Sequence, residues 1–209
     1  MSILQGFYSA LQPRHWSDLC RYFRNHKWEA NDDGDILISH AKIGGVFHTT
    51  AEDGLGEVAT HNKWTIEGLN YLLSLGVVSA TTKLGTFYIA PFGASGNVTV
   101  SETWKHATAP IFASTAGEYT SEYSEANRVT FVPSTVASGS VNNTASPAVI
   151  TAATTNLSIW GVGLASIATK GSTSSSHYLL AAASYTTARV LPSIGDTLGV
   201  KYTLSLANS

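Results

Sequence analysis

Charge is scarce in this sequence, and the shortage is uneven. Lys, Arg, Asp and Glu supply 12% of the 209 residues, and from Asn127 to Ser209 only Arg128, Lys170, Arg189, Asp196 and Lys201 are charged, with no Glu. A free globular domain keeps about a quarter of its residues charged, which holds its surface wet and keeps copies apart. A surface of Ala, Ser, Thr, Gly and Val costs little to desolvate and repels nothing. The C-terminal half therefore reads as built to be covered by neighbouring subunits; a thrifty monomer surface is the plainer alternative. The formal net charge of −2 supplies no basic stripe and argues against a general nucleic-acid binder. Cys20 is the only cysteine, which excludes an intramolecular disulfide and a thiolate metal site. No apolar run reaches the roughly 18 residues of a membrane span. Met1–Leu11 has no basic stretch ahead of an apolar one, so the expectation is a soluble chain made in a cytoplasm.

Chemistry-bearing motifs are equally sparse. No Gly-x-Ser-x-Gly elbow, phosphate loop or H-E-x-x-H pattern occurs, and these are the arrangements that activate a nucleophile, cradle a phosphate or hold zinc. Gly161-Val162-Gly163 lies in an apolar run and lacks the third glycine of a dinucleotide site. In Asp32-Asp33-Gly34-Asp35, the position where a calcium loop needs its bidentate Glu is His40, so the stretch reads as a turn. Asn97, Asn142 and Asn156 begin N-x-Ser/Thr triplets, read as chance matches in a Ser/Thr-rich chain. Glu118, Glu122 and Glu125 crowd one segment and read as a solvated strand edge. No catalytic residue, metal ligand or cofactor is assigned.

The chain does carry clear periodicity. Trp16, Leu19, Cys20 and Phe23 fall on one helical face after Pro13, predicting a short amphipathic helix over 13–27. Ile36–Ile38 reads as a strand, and Gly44–Gly56, with four glycines, as a linker or extended arm. Thr65-Ile66-Glu67 opens a second helix with Leu69, Leu72 and Leu73 as its buried stripe. Strands are expected at 86–92, 118–124, 128–132, 136–141, 148–152, 157–166, 178–184 and 197–206. In the last, Leu198, Val200, Tyr202, Leu204 and Leu206 alternate with Gly199, Lys201, Thr203 and Ser205, the period of a half-buried strand. About eight strands at intervals of about 8–12 residues predict a mostly β fold, a jelly-roll-like β-sandwich. It is expected over 61–209, with an N-terminal extension over 1–60 that contains the short helix and serves as a docking arm. Trp104 sits in the polar stretch Ser101–Lys105 and reads either as a contact residue or as a core wedge. Trp16, Leu19, Phe23 and Trp104 are the candidate interface residues.

Several strings then invite a comparison. They are His61–Leu73 (HNKWTIEGLNYLL), Phe87–Phe92 (FYIAPF), Tyr123–Arg128 (YSEANR), Ile159–Val162 (IWGV), Lys170-Gly171, Leu179–Ala183 (LLAAA) and Gly195–Leu198 (GDTL). From about Thr60 to Leu206 the chain resembles small virion proteins of tailed bacteriophages, the jelly-roll cement or decoration proteins of the capsid. The resemblance implies a non-enzymatic structural protein on the capsid exterior, made in the host bacterial cytoplasm. It further implies the major capsid protein as partner, a dimer or trimer of the chain itself, and no nucleic-acid or membrane contact. A receptor- or glycan-binding module of a tail or head fibre, or another tail or neck component, is the alternative reading.

Overall fold

A computed structural model describes residues 36–38, 41–77, 83–93, 96–109, 112 and 117–208. It is mostly β, with two antiparallel sheets. The strands are β1 (Ile36–Ile38), β2 (Ala41–Ala51), β3 (Glu57–His61), β4 (Lys63–Trp64), β5 (Phe87–Phe92), β6 (Val129–Phe131), β7 (Ser140–Asn142), β8 (Ala148–Thr151), β9 (Leu157–Ala165), β10 (Leu179–Leu191) and β11 (Thr197–Asn208); α1 spans Ile66–Val77. The six-stranded sheet runs β1-β2-β11-β7, with β3 also on β2 and β8 also on β11; the five-stranded sheet runs β4-β10-β9-β5-β6. Among the described residues no helix is long and apolar enough to cross a membrane.

The alternation read in the last strand is what the fold uses. Leu198, Val200 and Tyr202 are fully buried, while Gly199, Lys201 and Thr203 lie on the other face. They meet Phe47 and Ile150 from their own sheet, and Trp64, Ile89, Ile159, Val162 and Leu191 from the five-stranded sheet, in one core. Burying each such side chain contributes roughly 1.5–3 kcal/mol.

The boundary at residue 60 is corrected by this packing. β2 pairs with β11 from Leu198↔Ala51 to Asn208↔Ala41 and carries β3 on its other edge. Residues 41–51 and 57–61 are therefore sheet, and most of the stretch read as a linker or extended arm is an inner strand, followed by the β2–β3 loop. Phe47 stacks on Tyr202 with ring centroids 4.3 Å apart. Gly45 serves that contact: a Cβ there would overlap the Tyr202 hydroxyl and the Asn62 side chain. The glycine makes room for a neighbour's ring; it does not loosen the chain.

The helix expected after Thr65 is present, and its start is built from the sheet. The Thr65 amide donates to the Leu180 carbonyl (3.0 Å) and its hydroxyl to that of Leu179, while the Gly68 amide donates to the Thr65 hydroxyl (2.9 Å). This is an N-cap, which satisfies an amide the helix cannot. Gly68 lies so close to the Leu180 main chain that a Cβ would collide with it. Leu69 and Tyr71 of the helix are buried.

The strand expected over 118–124 is not regular. Its pairing is limited to isolated bridges, Phe92↔Glu118 and Tyr123↔Ala152.

Candidate functional site

Three of the four expected interface residues, Trp16, Leu19 and Phe23, lie outside the described residues. Trp104 is placed in the core: it is 8% exposed and packs with Val100, Ala109 and Phe112 over Ala90, Phe92 and Ala182. Residues 96–109 and Phe112 thus cover the outer face of the five-stranded sheet, and Trp104 is a wedge within that cover, packed inward onto the sheet.

The largest departure from expectation is Glu118. It does not lie on a solvated edge; it is buried in a bidentate pair with Arg128, both bonds 2.7 Å long, the two side chains 1% and 0% exposed. Bidentate guanidinium–carboxylate geometry is the arrangement that compensates two desolvated charges best. Arg128 also donates to the carbonyls of Ile167 and Ser172, each at 3.2 Å, and lies over the Phe112 ring. Glu118 accepts the Gly171 amide at 2.8 Å. Every group on this pair therefore ties one connecting segment to another.

His106 completes the network. Arg128 Nη1 lies 3.2 Å from His106 Nε2. A guanidinium can only donate, so Nε2 must accept and the proton sits on Nδ1. Nδ1–H then donates to the Ser174 carbonyl at 3.1 Å. Burial, with the Arg128 charge adding to it, lowers the His106 pKa from 6.5 to about 4, so the ring is neutral near pH 7. Glu67, from the first turn of α1, accepts the amides of His106 and Leu179, each at 2.8 Å. Helix, cover and β9–β10 connection are thereby locked together. What the described groups of this cluster do is hold these segments to one another.

A second pair lies elsewhere. Arg189 Nε is 2.7 Å from Asp53 Oδ2, with side chains 0% and 4% exposed, and Arg189 Nη2 donates to Asp53 Oδ1 and the Gly56 carbonyl. It anchors the β2–β3 loop to β10.

These pairs change the meaning of the scarce charges. Of the five charged residues after Asn127, Arg128 and Arg189 are interior. Lys170 Nζ donates to the Thr120 and Tyr123 carbonyls and lies 3.4 Å from the Tyr123 ring centroid; burial lowers its pKa against the pull of nearby glutamates. Lys201 Nζ donates to Glu57 Oε2 at 2.7 Å, and this bond is the main cause of the lowered Glu57 pKa. Asp196 accepts the Ser193 amide at 2.7 Å. Each of the five has a partner within the chain.

Grooves open on the surface among the described residues. One, of about 240 Å³, is lined by residues that include His61, Lys63, Asn97, Thr99, Ser184 and Thr186. Another, of about 450 Å³, is lined by Glu52, Asp53, Leu55, Thr187, Ala188, Val190 and Pro192; its Asp53 is already committed to Arg189. Among the described residues no three His, Cys, Asp or Glu side chains gather as a metal site would require. Comparison with known proteins returned no match to a family model, a curated protein or a solved structure.

Sequence reasoning missed the Glu118–Arg128–His106 cluster because none of its members carries a motif and each stands among polar residues. The available signal was the scarcity itself: where charges are this few, each is worth pairing before it is called solvated.

Proposed function

We propose that this chain is a non-enzymatic structural protein of a tailed-phage particle, a cement protein bound as a homo-oligomer to the outside of the major capsid shell. The observation that carries the proposal is the state of the charges after Asn127. Two are sealed inside and three are held by partners within the chain. What this half turns outward is mainly hydroxyl, methyl and main chain, with Val136 74% and Ile194 66% exposed. Such a surface loses little on desolvation, which is what a protein clamped between capsomers needs. The mostly β architecture and the resemblance of the strings between Thr60 and Leu206 to phage cement proteins point the same way.

A protein that binds only the assembled shell stabilises it by mass action, and each tenfold excess over the dissociation constant adds about 1.4 kcal/mol per site. The test is thermal release of packaged DNA from otherwise identical heads with and without this protein. A higher release temperature with the protein is expected. Equal release temperatures, with host adsorption lost when the protein is missing, would overturn the proposal in favour of a fibre module.

A further inference from the structure

Along one side of β10, past its short pairing with β4, no described strand pairs with the main chain, and basic side chains stand beside it. β4 pairs with β10 only at Ala181↔Trp64 and Ala182↔Lys63. The Leu180 carbonyl accepts the Thr65 amide on that side. Main-chain groups of an antiparallel strand point alternately to its two neighbours, so Ala182 and then Ser184 face the same way. At Ser184 β4 has ended, and among the described residues no strand lies along it there.

What lies there is the groove of about 240 Å³. His61 and Lys63 stand exposed on its rim, with Asn97, Thr99 and Thr186, also exposed, completing it. The Ser184 hydroxyl donates to the Val98 carbonyl and holds the 97–100 segment as a wall. No carboxylate is among the described residues that line the groove and Lys63 is, so the field of these residues favours an anion. Its one aromatic lining residue, Tyr185, is 1% exposed and offers no ring face for a sugar to stack on. A free strand edge, by contrast, is what a peptide main chain recognises.

We propose that this groove receives an extended acidic segment of a partner protein, whose main chain pairs with Ser184 and whose carboxylate meets Lys63 and His61. The acidic side chain supplies sign and the strand edge supplies direction. Each alone is common on protein surfaces; their meeting at one small groove selects a short, negatively charged, extended peptide. The inference concerns the groove and holds or fails separately from the particle assignment.

The probe is a blocked pentapeptide alternating threonine and glutamate, titrated into the full chain and followed by calorimetry. Saturable binding is expected. Lys63→Glu should weaken it at least about tenfold, because a like charge then faces the carboxylate. A glutamine analogue should lose about as much, and N-methylation of the central residue should weaken binding by removing a strand bond. Lys63 is exposed, and an unchanged near-ultraviolet circular dichroism spectrum would show that the variant folds. Failure of the pentapeptide to saturate, or binding unchanged by Lys63→Glu, would overturn the proposal. So would glucuronic acid binding as tightly as the pentapeptide with no penalty from N-methylation, since the groove would then read an acidic sugar.

Discussion

The two sheets of this sandwich share one core and differ in what lies on their backs. Among the described residues no segment covers the outer face of the six-stranded sheet: Val46, His48 and Thr50 on β2, and Gly199, Lys201 and Thr203 on β11, look away from the core. The five-stranded sheet has Ala90, Phe92, Leu179 and Ala182 under the cover of residues 96–109 and Phe112. An open back leaves the sequence alternating, whereas a covered one lets apolar residues run on. β11 alternates, and Gly161–Ala165 in β9 is buried without a break. The difference also sets how each half is held. The open sheet rests on strand pairing and one core. The covered sheet needs its cover kept in place, and the Glu118–Arg128–His106–Glu67 network does that.

Breaking this fastening should produce the largest effect. Glu118→Gln leaves the Arg128 charge buried without its partner, at a cost of about 3–5 kcal/mol, measurable by urea unfolding. Hydrogen exchange should quicken over 96–109 before it does in β2 and β11. Replacing Glu118 and Arg128 together with methionine should cost much less, since no charge is then stranded. Equal exchange in both sheets would show that the cover has no separate fastening.

Acid should loosen the same fastening by a smaller amount. The native ring of His106 titrates at about 4 against an ordinary 6.5. Between those values the unfolded chain takes up a proton that the folded chain refuses, so stability falls as pH drops from 6.5 towards 4 and the contribution levels off below. The slope from this group is at most about 1.4 kcal/mol per pH unit. His106→Gln should remove it, read as the difference in midpoint between the two proteins across that window.

The smallest effect belongs to the open sheet. Val149 is 43% exposed on β8, so Val149→Thr should move stability by no more than about 0.5 kcal/mol in the free protein. If the same change weakens attachment to particles, the open half is the docking side.

What the sequence shows and hides follows the same division. β11 was legible because one of its faces meets water and the other does not. The helix after Thr65 was legible because its cap and apolar stripe are local. β2 was hidden because Gly44 and Gly45 imitate a linker, when the space at Gly45 is reserved for Tyr202, more than a hundred residues away. Glu118 was hidden because a carboxylate among Tyr, Ser and Thr looks wet until its partner is known. Trp104 was read two ways because its neighbours in sequence are polar while its neighbours in space are Phe92 and Phe112. Strand and helix periods are written locally; pairing across the sandwich is not.

The union of β2 with β11 also governs how the molecule comes into being. It runs from Leu198↔Ala51 to Asn208↔Ala41, joining opposite ends of the described chain. Contacts of such high order are reached late, because the entropy of closing the intervening loop is lost before any pairing rewards it. Until β11 arrives, the edge of β2 that it will occupy is bare and open to a strand of another molecule. Slow acquisition of the six-stranded sheet, on the order of milliseconds to seconds, is thus built into the topology, and the nascent protein is most vulnerable to its own copies during that interval.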